Sequence, residues 1–198
     1  MDEKMTALLS AYPALASCGD AICRALELLT DTARRDGLIL VCGNGGSAAD
    51  AEHIVGELMK GFLLKRPDPT LPPWAAGLQR GIRAISLPSQ SAVVSAFNND
   101  VDPALVYAQL TRAYGRPGDT LIGITTSGNS TNVVHAWEIA KLSGLHTVAM
   151  VGERPCRADG LCDVVIHVPA AETYRVQEYH LPVYHYLCAA LEARLFDR

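Results

Sequence analysis

The sequence predicts an α/β fold, a three-layer αβα sandwich on a five-stranded parallel sheet, preceded by N-terminal helices. Three observations predict it. From Leu38 onward, short runs rich in Val, Ile and Leu alternate with longer helical stretches. The runs Leu38–Cys42 and Thr120–Ile124 are apolar almost throughout, as in parallel strands covered on both faces. Of 198 residues, 49% are hydrophobic and 19% charged, enough apolar side chain for a substantial core.

Taken in order, residues 1–36 read as a pair of amphipathic helices ending at the stop signal Asp36-Gly37. Leu15-Ala16-Ser17-Cys18 looks like the small-residue box before a lipidated bacterial cysteine. It follows the acidic Met1-Asp2-Glu3-Lys4 and a run broken by Pro13, which favours ordinary helices. Strand Leu38–Cys42 leads through a Gly-rich turn into a helix from Ser47 to Leu64. The stretch Lys65–Gln79, with Pro67, Pro69, Pro72 and Pro73, is a loop or extended excursion. Ile82–Ser86 is a strand, and Ser91–Phe97 and Pro103–Tyr114 are helical. Thr120–Ile124 is a strand followed by a polar turn and a helix to Leu142. His146–Val151 and Val164–Val168 are the last strands, and a long helix from Thr173 closes the chain. The whole, 1–198, reads as one domain with a Pro-rich excursion at 65–80. Ligands of such sheets bind beyond the carboxyl ends of the strands, which directs attention to the turns after Cys42, Ser86 and Ile124.

Charge and composition exclude several partners. With 17 Lys+Arg against 21 Asp+Glu, a net charge of -4 and no basic run, the chain is unsuited to nucleic-acid backbone. No apolar stretch approaches the roughly 20 residues of a membrane span. Low charge with high apolar content points instead to surface covered by partner subunits. The six cysteines form no C-x-x-C pair and read as thiols of a cytoplasmic protein.

Two turns are suited to a phosphate monoester. In Gly43-Asn44-Gly45-Gly46-Ser47 the glycines let backbone amides approach a ligand, and Ser47 can cap the next helix or donate to an anion. Gly43-x-Gly45-x-x-Ala48 also satisfies a dinucleotide fingerprint. That fingerprint needs an acidic residue about 20 positions on, where this chain has Lys65, Arg66 and Pro67. A triphosphate P-loop is excluded by the lack of Gly-Lys-Ser/Thr. The second turn, Thr125-Thr126-Ser127-Gly128-Asn129-Ser130-Thr131, carries five hydroxyls in seven residues at a helix start, more than capping requires. Neither turn contains lysine, so a small phosphorylated metabolite fits better than a nucleoside triphosphate.

His53 and Glu57, four residues apart, share a helix face, and Gln177 and His185 lie within about 80° of one another on the last helix. His180 lies between them, and Pro182 interrupts the same helix. These groups suit either a divalent metal site, with zinc the favoured ion, or acid–base chemistry, and the two roles are compatible.

The motif Gly43-Asn44-Gly45-Gly46-Ser47-x-x-Asp50-Ala51-x-His53-x-x-x-Glu57-Leu58 resembles the opening of the phosphoheptose isomerases, members of the sugar isomerase (SIS) superfamily. Thr125–Ser130 is similar to their second phosphate loop, Asn99-Asp100 to their Asn-Asp pair, and Arg175-Val176-Gln177-Glu178-x-His180 with His185 to their C-terminal helix. The resemblance implies an SIS fold and conversion of sedoheptulose 7-phosphate to D-glycero-D-manno-heptose 7-phosphate by a homotetramer with sites between subunits. It implies zinc on His53, Glu57, Gln177 and His185, with Glu57 and His185 as the acid–base pair. Substrate contacts would be Asn44, Gly45, Gly46, Ser47, Glu57, Asn99, Asp100, Thr125, Thr126, Ser127, Ser130 and Gln177. The chain departs from the pattern in having Thr125 where Ser is usual, and in its long excursion after the Glu57 helix. Two other readings remain open here: isomerisation of a shorter ketose phosphate, and a non-enzymatic SIS module that senses sugar phosphates or binds a protein.

Overall fold

The computed structural model describes residues 3–197. Five parallel strands, β1 (Ile39–Gly43), β2 (Ala84–Ser86), β3 (Thr120–Ile124), β4 (His146–Val151) and β5 (Val164–His167), lie in the order β2-β1-β3-β4-β5. The helices are α1 (Glu3–Ala11), α2 (Gly19–Arg34), α3 (Gly46–Met59), α4 (Ser91–Asp100), α5 (Val106–Tyr114), α6 (Thr131–Leu142) and α7 (Thr173–Phe196). Ile39 and Val41 of β1 face a core shared with α1, α2, α3 and α7, while Leu40 and Cys42 face one shared with α5 and α6. Successive residues of one strand thus serve opposite layers, which is why the run is apolar without alternation.

The chain leaves β1 toward β2 and returns to β3 on the other side of β1, so the topology reverses between β1 and β3. Gly43 pairs with Ile124 there, at the carboxyl ends of the two strands, and the two polar turns emerge side by side.

Several boundaries differ from expectation. The N-terminal pair of helices is interrupted by a 3-10 turn, Pro13–Cys18, with the Cys18 thiol buried. At the end of α2, Asp36 itself takes the left-handed conformation (φ 57°), which short polar side chains tolerate. Helix α4 extends to Asp100 rather than Phe97. Helix α3 stops at Met59, not Leu64, because Lys60 is extended and the amides of Phe62, Leu63 and Leu64 all donate to the Glu192 carboxylate at 2.7–2.9 Å. Arg66, fully buried like Glu192, pairs with it at 2.8 Å and donates to the Leu58 carbonyl at 2.7 Å, the end of α3. A cation there also complements the helix dipole. The excursion is closed at its base by a bridge between Pro67 and Gln79 and exposes Trp74 (86%). Among the described residues no helix is long and apolar enough to cross a membrane.

His180, expected near a polar site, is instead fully buried in α7, and neither ring nitrogen has a hydrogen-bond partner. Burial pushes it down to about 4. The unfolded chain therefore takes up the His180 proton at a higher pH than the native one. The contribution is neutral above about pH 6.5, and stability falls by about 1.4 kcal/mol per pH unit from there toward about pH 4. Urea unfolding at pH 7 and pH 5 is expected to show this loss in the wild type and a smaller one in His180→Leu.

Candidate active site

Helices α3 and α7 lie side by side and in step. Gly46 faces Gln177, His53 faces Tyr184 and His185, and Ile54 and Leu58 pack with Leu187, Cys188 and Leu191. A side chain at position 46 would place its Cβ 2.5 Å from the Gln177 amide nitrogen, so glycine there admits α7 against the first turn.

His53 Nε2 stands 3.4 Å from Glu57 Oε1 and 3.4 Å from His185 Nε2. On its other side, His53 Nδ1 lies 3.1 Å from the Tyr184 hydroxyl, which lies 3.2 Å from Asp50 Oδ1. An ionised Asp50 only accepts, so Tyr184 donates to it and its oxygen accepts from His53 Nδ1–H. In the neutral ring that chain leaves His53 Nε2 as a lone pair aimed between Glu57 and His185, and in the protonated ring Nε2–H donates toward Glu57. Burial opposes ionisation of Glu57, but the Lys60 ammonium at 2.9 Å and then His53 outweigh it and hold the carboxyl below its ordinary value. Burial, reinforced by His53, lowers His185 and keeps its imidazole neutral; Glu57 opposes this.

An imidazole nitrogen with a second imidazole and a carboxylate each 3.4 Å from it offers the donor types zinc takes, although Glu57 and His185 do not approach one another as closely. His53 is the middle member of the group. Among the described residues only Cys156, Asp159 and His167 bring three such ligand atoms all within 4.8 Å of one another. Gln177 lies about 12 Å of helix rise from His185, and its amide, free of hydrogen bonds, lies over Gly46.

The second turn forms a hydroxyl cluster. Thr125 Oγ1 is 2.8 Å from Ser130 Oγ and 3.4 Å from Ser127 Oγ. Ser130 occupies the N-cap of α6, yet its side chain caps no amide. Its hydroxyl bonds Thr125 instead, so the cluster does more than start a helix. Thr126, Ser127 and Asn129 line a cleft of about 230 Å³ with Gly152, Arg154 and the start of α7. The two turns are joined by a reciprocal amide pair, Asn44 with Asn132, at 2.9 Å in both directions. Ser47 is buried at the start of α3. Asn99 and Asp100 end α4 with exposed side chains that bond each other at 2.8 Å, and neither makes a hydrogen bond to the turns. The excursion was expected where it could reshape the sugar pocket. Phe62 and Leu63, just before it, line the apolar groove beside His185, and none of residues 65–79 does.

The sequence left four of these residues without a role. Asp50 shares the His53 face at a spacing of three, and Tyr184 adjoins His185, so spacing was a usable signal for both. Asn132 and Arg154 gave no such signal, because only the packing of separate turns brings them to the crevice.

A doubly wound sheet with hydroxyl-rich turns at its switch point and an imidazole–carboxylate group on the helix that follows the first turn defines a sugar-phosphate-handling α/β protein. The SIS domain family model matches residues 3–152. The chain is 39% identical over 180 residues to a phosphoheptose isomerase from Crocosphaera subtropica, covering 89% of this chain and 85% of that one. It is 34% identical over 196 residues to one from Synechocystis, covering 99% and 93%. The solved phosphoheptose isomerase of Neisseria gonorrhoeae superposes with a TM-score of 0.79 at 31% identity, covering 95% and 94% of the two chains. The chain belongs to the phosphoheptose isomerase family of SIS-domain proteins and is an isomerase.

Proposed function

We propose that the protein converts sedoheptulose 7-phosphate to D-glycero-D-manno-heptose 7-phosphate through an enediol. The observation that carries the reading is the approach of Glu57 and His185 to His53, each at 3.4 Å, on two helices that meet again where Gln177 packs on Gly46 of the first turn. Thr125, Thr126, Ser127 and Ser130 bind the phosphate at the start of α6, where the helix dipole favours an anion. Asn44, Gly45, Gly46, Ser47 and Gln177 line the sugar. Asn99 and Asp100 join them in a homotetramer whose sites lie between subunits. The exposed Met59 and Leu63 before the excursion, and Trp74 and Leu78 within it, accord with such an assembly. A single SIS domain over residues 1–198, in a cytoplasmic setting, accords with the six free thiols.

In the reaction, Glu57 takes the proton from C1 of the ketose. The C–H electrons form the C1–C2 double bond while His185 protonates O2. His185 then recovers a proton from O1, the carbonyl reforms at C1, and Glu57 returns its proton to C2, which leaves both side chains as they began. Zinc, one per subunit, would be held by His53, Glu57 and His185, with Gln177 as the fourth residue of the proposed set although its amide stands apart from them over Gly46 in this chain, and would polarise the substrate carbonyl when bound. Fixing the phosphate holds C1 and C2 in line with the pair.

Ser130→Ala removes one phosphate donor, and a hydrogen bond to a charged group contributes about 1.5–3 kcal/mol. KM for the sugar phosphate is therefore expected to rise about tenfold or more, with a smaller change in kcat. Steady-state assays on five-, six- and seven-carbon ketose phosphates test substrate size. Turnover confined to the shorter sugars would remove the heptose assignment.

A further inference from the structure

The loop between β4 and β5 gathers metal-ligating side chains that the isomerase reading does not use. Cys156 opens a 3-10 turn (Arg157–Gly160), Asp159 lies within it, and His167 ends β5. One ligand atom of each lies within 4.8 Å of the others.

The hydrogen bonds around His167 define the chemistry. Its Nδ1 is 2.7 Å from the Gly152 carbonyl oxygen, and its Nε2 is 2.6 Å from Asp159 Oδ1. A carbonyl only accepts, so Nδ1 carries a hydrogen and donates. In the neutral ring Nε2 is then a bare lone pair facing a carboxylate oxygen, and two acceptors that close need a cation: a second imidazole proton or a metal ion. The donation to a carbonyl is the outer contact that aims an imidazole at a metal, and Asp159 Oδ2 is held in turn by the Cys156 amide at 2.8 Å.

We propose that Cys156, Asp159 and His167 form a second metal site, separate from the His53 group, for a borderline divalent ion such as zinc with a water as fourth ligand. Burial raises the Cys156 thiol, so metal uptake releases its proton to solvent, together with the second imidazole proton where His167 carries one. The site borders the phosphate turn. The Cys156 sulfur lies 2.2 Å from where a Cβ at Gly128 (φ 66°) would stand, and the Arg157 amide donates to Asn129 at 3.0 Å. A bound ion would therefore brace residues 128–129 against the β4–β5 loop.

Cobalt(II) is the probe, titrated into full-length protein that has been freed of exchangeable metal and kept reduced with a phosphine. A thiolate-to-cobalt charge-transfer band reports sulfur ligation, which His53, Glu57, Gln177 and His185 cannot give, so the test stands apart from the isomerase assignment. The band is expected to saturate at about one equivalent per chain and to yield to zinc. It should vanish in Cys156→Ser, weaken at least about tenfold in affinity in His167→Asn, and persist in His185→Asn. Circular dichroism checks that each variant is folded. No band in the wild type at excess cobalt, full retention in Cys156→Ser, or unchanged affinity in His167→Asn would overturn the proposal.

Discussion

Replacing Glu57 by Gln is expected to lower turnover of sedoheptulose 7-phosphate by at least about 10²-fold while leaving sugar-phosphate binding within a few-fold. Acid–base groups contribute about 10²–10⁴ to such reactions. The amide keeps the size of the carboxylate but cannot accept the C1 proton. The native carboxylate is held in its basic form by Lys60 at 2.9 Å, against the effect of burial. The phosphate contacts sit on the turn at 125–130, on a different strand end, so calorimetry should find the affinity little changed. Near-wild-type turnover in Glu57→Gln would remove Glu57 from the base role.

The largest stability effect is expected at Glu192. Its buried carboxylate accepts three amides and the Arg66 Nε, and these contacts outweigh burial and hold it below the ordinary carboxylate range. Removing one partner of such a pair leaves an uncompensated buried charge and costs about 3–5 kcal/mol. Glu192→Leu should therefore lower Tm by about 6–20 °C for a chain of this size. The double variant Arg66→Met/Glu192→Leu should recover part of the loss, since it buries no lone charge. Because the native carboxyl is depressed, its contribution is present above about pH 4.5 and is lost as pH falls through the native value. A cost below about 1 kcal/mol for Glu192→Leu would contradict this account. The pair also fixes the end of α3 two residues beyond Glu57, so the same residues that stabilise the fold set the position of the proposed base.

The strands and the two turns were legible because their signals are local. A fully apolar run of five residues, followed by a Gly-rich or hydroxyl-rich turn, specifies a buried parallel strand and an anion-facing helix start. Helical spacing likewise put His53 and Glu57 on one face. What the sequence hid depends on contacts between distant segments. The carboxylate that ends α3 at Met59 comes from Glu192, more than a hundred residues away, and the one local cue is Gly61 after Lys60. His180 looked like its neighbours Gln177 and His185, yet it points into the core. A helix of 24 residues packed on much of its surface gives no periodic clue to which His faces the crevice. Asn132 and Arg154 reach the site only because β1, β3 and β4 lie side by side.

The central claim is that the His53, Glu57 and His185 group interconverts a ketose and an aldose whose phosphate rests in the hydroxyl turn. Following sedoheptulose 7-phosphate labelled with ¹³C at carbon 1 by NMR in the presence of the purified protein tests it most directly. The account predicts that the ketose CH₂ signal gives way to the anomeric signals of an aldoheptose 7-phosphate. A label that stays in the ketose while the sugar demonstrably binds would contradict it.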